Sequence, residues 1–268
     1  MFFWHTWRRA SLWFLQPSSP QSTTTTTTMS LLRRVMFQQL NQTRTLANSI
    51  ELNLRGEKFF LKQADRNDEN TIVSYLSTHF IVDEPHSRSI NMTVADATSI
   101  LPVILDSAID HGMTQIVYER DGTTVVGVRI WGIGERDQPI ELAPMMTPNA
   151  QMLGSILNLA KTQFWQLVDP KVNRVLRREI TSIVSHHQRK GIAKFLATFQ
   201  TDPETIEKLG VQGIVSEASS LANQRLLINQ GYQLITEIKH SEFLDANGKR
   251  VFNCDDGTDS LKVLFKPV

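Results

Sequence analysis

Cysteine is nearly absent from this chain of 268 residues: Cys254 stands alone, so no internal disulfide can form. That fits a reducing compartment without demanding one. Long apolar runs are missing as well. No stretch of about eighteen apolar residues exists to span a bilayer, and the cluster of Phe2, Phe3, Trp4, Trp7 and Leu12 to Leu15 is interrupted by His5, Arg8 and Arg9. There is no Walker loop, no paired-cysteine metal pattern and no Gly-x-Ser-x-Gly elbow. No metal ligand set is expected. Gly132-Ile133-Gly134 starts like a dinucleotide fingerprint, but it lacks the third glycine and runs into Glu135-Arg136-Asp137-Gln138-Pro139 instead of a helix.

Acidic residues are absent from the first fifty positions, which hold Arg8, Arg9, Arg33, Arg34 and Arg44 and no lysine. That segment carries +5 of a formal net charge of +1, leaving −4 on residues 51–268. Gln16 to Ser30, with six threonines from Thr23 to Thr28, has little apolar area to bury and reads as disordered. An acid-free leader containing Arg, Ser and Thr has the composition of a mitochondrial transit peptide. Met29 opens a shorter version, in which Leu31, Leu32, Val35, Met36 and Leu40 share one helical face. An extension upstream of an internal start, or a plain tail, fits the same residues. The expectation is a basic leader over 1–50 and one domain over 51–268, cytoplasmic, with mitochondrial import as the alternative. The basic excess is confined to the leader, so neither nucleic acid nor a membrane is an expected partner. Oligomeric state leaves no signal.

Over 51–268 the periodicities alternate. Lys58 to Gln63 reads as a strand, and Glu69 to Phe80 as a helix ended by Pro85. Val94 to His111 reads as a helix carrying Pro102 and closed by Gly112. Thr114 to Glu119 and Thr123 to Ile133 flank the hairpin signal Asp121-Gly122. Pro139, Pro144 and Pro148 mark a loop before a helix over Ala150 to Leu167. Ile180 to Val184 is a strand, Gly213 to Ser216 a short one, and Leu221 to Asn229 a helix stopped by Gly231. Tyr232 to His240 and Leu261 to Phe265 close the sheet. Hairpins together with strand–helix–strand links predict an α/β (α+β) fold with a mixed sheet.

Between the strand ending at Val184 and an apolar-periodic helix through Phe195, Leu196 and Phe199 lies Gln188-Arg189-Lys190-Gly191-Ile192-Ala193. Such a turn presents free backbone N–H groups at the positive end of a helix dipole, which suits an anion. Gly191 and Ala193 leave the approach open, while Arg189 and Lys190 add charge. A plain turn with two solvated cations fits the same six residues. His186 and His187 stand beside it, as a base or as a solvent-facing strand end.

The pattern Gln/Arg-x-x-Gly-x-Gly/Ala resembles the acetyl-CoA pyrophosphate loop of the GNAT superfamily of N-acetyltransferases, and the element order is similar to that fold. Asp83-Glu84-Pro85-His86, Leu226 to Tyr232 and Ser241 to Phe252 resemble the insect-type arylalkylamine (dopamine) N-acetyltransferases and their nematode relatives. The resemblance covers nearly everything after residue 57. It implies a mixed central sheet flanked by helices, with a phosphate-binding loop after the fourth strand, and acetyl-CoA as co-substrate. The cofactor would be held by Ser185, Gln188, Arg189, Lys190, Gly191, Ile192, Ala193 and Lys194.

It further implies that Glu84, matching the glutamate of Asp-Glu-Pro, takes a proton from the amine. Amides near Ser185 would meet the oxyanion, and Ser219 would serve later proton transfers. Here the chain departs from the pattern. The second expected serine falls on Asn223, and the tyrosine acid of many GNAT enzymes on Leu227; neither replaces a hydroxyl in a proton relay. Ser219 and Ser220 also suit a helix N-cap. The implied activity is acetyl transfer to a primary amine, an arylalkylamine first, by direct attack in a ternary complex. Cys254, in a tail loop, gives no reason to expect an acyl-enzyme. An acyl-CoA-binding module without transfer, and an N-acetyltransferase for another amine or a peptide, remain as alternatives. The −4 balance favours cationic acceptors. Pocket residues are sought between Glu135 and Asp169 (Leu142, Met145, Met146, Phe164, Trp165), although core packing is the readier explanation of them.

Overall fold

The computed structural model describes residues 49–138 and 147–268. Most of the leader, together with Pro139, Leu142, Pro144, Met145 and Met146, lies outside the described residues. Among the described residues, eight strands are formed: β1 (Ser49–Leu54), β2 (Glu57–Gln63), β3 (Gln115–Glu119), β4 (Val125–Glu135), β5 (Arg174–Ile183), β6 (Gly213–Ala218), β7 (Gln233–Lys239) and β8 (Ser260–Pro267). They form one mixed sheet in the order β1-β2-β3-β4-β5-β6-β8-β7, antiparallel throughout except between β5 and β6.

Helices cover both faces. On one lie α1 (Glu69–Tyr75, prolonged by a wide turn over Leu76–Phe80 and by Ile81–Asp83), α2 (Pro85–Ser89), α3 (Val94–Ile109) and α4 (Pro148–Leu167). On the other lie α5 (Ile192–Leu196), α6 (Pro203–Leu209) and α7 (Leu221–Ile228). The caps follow from short polar side chains. Thr93 and Asp96 form a reciprocal capping box on α3. Thr147 with Pro148, and Asp202 with Pro203, start α4 and α6 in the same manner. On α4, Ile156, Ala160 and Phe164 recur at one-turn spacing and are fully buried against Val215, Val263 and Phe265. Each large apolar side chain so buried contributes about 1.5–3 kcal/mol.

Several expectations need correction. The domain starts before residue 51, because β1 runs from Ser49 and pairs with β2 through the Arg55-Gly56 turn, both residues having positive φ. Pro85 begins a helix instead of ending one, since its fixed φ and missing N–H suit a first helical position. β5 reaches back to Arg174, and α6 had not been read at all despite its Asp202-Pro203 start and Gly210 end. α5 stops at Leu196, short of Phe199. The buried Arg129 guanidinium donates to the carbonyls of Leu196 (2.9 Å) and Phe199 (2.8 Å), giving the chain an early end cap.

Candidate active site

β5 and β6 pair only at Leu176↔Ile214 and Arg177↔Val215, then separate. β6 is fully paired on its other edge with β8. β5 carries a bulge at the same level: Ile130 faces Ile180 and Trp131 faces Arg178, so Glu179 has no opposite number on β4. The parity of the strand changes there. Val175 packs on the α4 side, whereas beyond the bulge Ile180 packs among α1 and α3 and Ser182 reaches the Tyr75 hydroxyl of α1. The bulge lies six residues before Ser185, whose neighbouring amides were the ones expected to meet the oxyanion.

A cavity opens at this divergence, with about 650 Å³ of empty space in and in front of it, open solvent included. Its apolar wall includes Phe80, Ile100, Leu101 and Ile104 from α1 and α3, and Leu153 and Leu157 from α4. Its polar wall comprises Glu84, Glu179, Glu217, His86, Ser87 and Ser219. Of the aromatic residues expected in the pocket, Phe164 is core, and Trp165 packs against that same core.

Glu84 is the buried N-cap of α2. One carboxylate oxygen accepts from His86 N–H (3.0 Å); the other accepts from Ser87 N–H (2.6 Å) and the Ser87 hydroxyl (2.7 Å). Three bonds fix its rotamer at the cavity wall. Glu179 and Glu217 are joined by the buried Arg177, whose Nε donates to Glu179 (2.9 Å) and whose Nη2 pairs with Glu217. Lys161 of α4 adds a second cation 3.3 Å from Glu179. Burial alone would raise the Glu179 carboxyl, but Lys161 and Arg177 outweigh it and bring it down to about 2. Burial likewise opposes charge on Arg177, and Glu217 and Glu179 reverse that effect. The sequence reading missed this group. Its one signal was the run of charge in Arg174 to Glu179, inside a strand flanked by apolar ones.

Ser220 caps α7, accepting from Asn223 N–H at 3.3 Å, which leaves Ser219 on the cavity wall. Leu227 is fully buried beside Trp131 and Tyr232.

Across the gap, the turn Ser185–His187 leads into the glycine loop. Arg189 (φ 63°) and Gly191 (φ 97°) are left-handed, and space is open where a Gly191 Cβ would point. The first bond of α5 runs from Phe195 N–H to Gly191 O, so the amides of Ile192, Ala193 and Lys194 precede it. Gln188 is tied to the Ile183 carbonyl (3.0 Å), and Lys190 to Glu57 (2.7 Å). His187 is buried between Glu119 (2.6 Å) and Lys190 (3.2 Å), and packs edge-on against Phe59; His186 is exposed. His187 therefore anchors the loop, and neither histidine lines the cavity.

No family model matches the chain, and no curated protein matches it in sequence. Solved structures do match its fold. Arylalkylamine N-acetyltransferase 2 of Aedes aegypti aligns with 78% of this chain and 98% of its own, at 21% identity and a TM-score of 0.66. The Drosophila melanogaster polyamine N-acetyltransferase, which forms N-acetylagmatine, aligns with 78% and 100%, at 17% identity and 0.64. The C-terminal condensation domain of Ebony, in complex with beta-alanyl-dopamine, aligns with 79% and 100%, at 15% identity and 0.63. The chain therefore has the GNAT fold of the insect arylalkylamine and polyamine N-acetyltransferases. A condensation domain shares that fold, so the acyl donor must be argued from the site.

Proposed function

We propose that the chain transfers the acetyl group of acetyl-CoA to a primary amine, an arylalkylamine first, by direct attack in a ternary complex. One observation carries this reading: the gap between β5 and β6 joins a loop of free amides to an apolar cavity with a fixed carboxylate, Glu84, in its wall. The open space at Gly191 and the leading amides of α5 fit a pyrophosphate, with Ser185, Gln188, Arg189, Lys190 and Lys194 around it. Acetyl-CoA supplies the thioester; this chain's residues supply position and protons.

Glu84 takes the ammonium proton, directly or through a water, and frees the nitrogen lone pair. The nitrogen attacks the carbonyl carbon, the C–N bond forms, the C–S bond breaks, and the thiolate leaves with a proton. The bulge at Glu179 suits the oxyanion, and Ser219 is the hydroxyl available for the later transfers. The apolar wall suits an aryl group, while Glu84 favours a cationic head.

A second reading, an acyl-CoA-binding module without transfer, is favoured by the buried Leu227 and by Asn223 where hydroxyls would be needed. The test is thiol release from acetyl-CoA by protein lacking residues 1–48, with dopamine, tryptamine, serotonin, spermidine, agmatine and lysine. Release with arylethylamines supports the first reading. Release confined to spermidine or agmatine keeps the transferase and changes the acceptor. Tight acetyl-CoA binding without release establishes the module instead.

A further inference from the structure

Behind the Glu84 wall, three side chains from distant parts of the chain converge. His86 lies on α2, His240 follows β7, and Cys254 is in the segment leading to β8. Both imidazoles are fully buried and face each other, Nε2 to Nε2, at 2.7 Å. One ligand atom each from His86, His240 and Cys254 can be chosen so that all three lie within 4.8 Å of one another. His86 Nδ1 is enclosed and has no hydrogen-bond partner, an expensive vacancy in so tight a place. Phe252 lies against both rings, at 4.4 and 5.8 Å between centroids.

A proton relay does not account for the pair. His240 Nδ1 is 3.5 Å from Arg250 Nη2, and a guanidinium cannot accept a proton. We propose that His86, His240 and Cys254 bind a zinc ion, through one ring nitrogen of each histidine and the Cys254 sulfur. Two imidazoles and a thiolate are a common zinc donor set, leaving a fourth position for water beside the cavity that His86 also lines. To reach the edges of about 3.3–3.6 Å of a tetrahedral zinc site, ring nitrogens 2.7 Å apart must part, while ligand atoms up to 4.8 Å apart must close in. Burial lowers His86, and brings His240 down to about 4, which keeps both rings in the neutral, ligating form.

Glu84 and Asp256 both act on His86 and on Cys254, and their negative charge faces the positive charge of Arg250 beside His240. Burial and the same carboxylates push the Cys254 thiol up to about 12; zinc binding would release that proton to solvent. The Thr258 carbonyl and Asp259 carboxylate lie near His240 and can orient its ring. The ion would clip α2, the end of β7 and the segment before β8 together, fixing the wall that carries Glu84. The other such grouping among the described residues, Glu119 with His186 and His187, is already served by the Lys190 ammonium beside His187.

The test uses the untagged full-length chain, loaded with Zn²⁺, dialysed and assayed for metal, then loaded with Co²⁺ for its thiolate charge-transfer band. One equivalent of zinc and a cobalt–thiolate band are expected. Cys254→Ser should abolish the band, and His240→Ala should weaken zinc binding at least tenfold. Cys254 is only half-buried, so its serine variant should fold and keeps the test decisive if His240→Ala does not. Less than a tenth of an equivalent retained, or unchanged affinity in Cys254→Ser, would overturn the site.

Discussion

On the loop side of the β5–β6 gap, the groups proposed to hold the pyrophosphate are Ser185 and seven consecutive residues, Gln188 to Lys194. On the cavity side, Glu84, Lys161, Arg177, Glu179, Glu217 and Ser219 come from α2, α4, β5, β6 and the turn before α7. The loop is local, made mostly of backbone, and one glycine conformation sets its shape. The wall is a tertiary assembly in which each charge is held by another. Damage to the loop should therefore remove binding and spare the fold, whereas breaking the charge network of the wall should cost stability.

The strongest break is Gly191→Trp. Its side chain would fill the open space of the loop, and acetyl-CoA affinity measured by calorimetry should fall at least about 100-fold. The left-handed backbone adds only about 1–2 kcal/mol of destabilisation. Retained binding would refute the loop assignment. Glu84→Gln comes next: kcat should drop about 10²–10³-fold while acetyl-CoA affinity stays within threefold. Equal losses in both would remove the base role.

Arg177→Met tests the wall as an assembly. It leaves Glu179 and Glu217 buried without their shared cation, and urea unfolding should register a loss of about 3–5 kcal/mol. The same coupling sets a pH response. The Glu179 carboxyl is lower when folded than when unfolded, so its contribution is complete above about pH 4.5 and is lost as pH falls towards 2. Glu179→Gln should flatten that stretch of the stability curve. The smallest effect separates two adjacent serines: Ser220→Ala should cost about 1 kcal/mol of stability through its lost cap, and Ser219→Ala should lower kcat with little change in stability.

Legibility in the sequence follows the same divide. The strands from Lys58, Thr114 and Thr123 were readable because alternation and the Asp121-Gly122 turn are local signals. The glycine loop was readable because its residues are consecutive. Pro85 misled, since a proline that closes one helix can equally open the next, and the outcome rests on the Glu84 cap. Nothing local joins Arg177 to Glu217, or His86 to His240 and Cys254. Those groups meet because β5 and β6 run side by side and the tail segment folds back under α2. The bulge at Glu179 was equally hidden, because it is a property of two strands compared.

That bulge works as a counting device. Ten residues of β5, Arg174 to Ile183, are matched to nine of β4, Gly127 to Glu135. Removing Glu179 would restore a one-to-one tally and reverse the facing of every later position, sending Ile180 and Ser182 to the opposite side of the sheet. Any chain with this arrangement should thus tolerate many exchanges of residue at that point but not a change in their number. A deletion of a single codon there would be harsher than most substitutions.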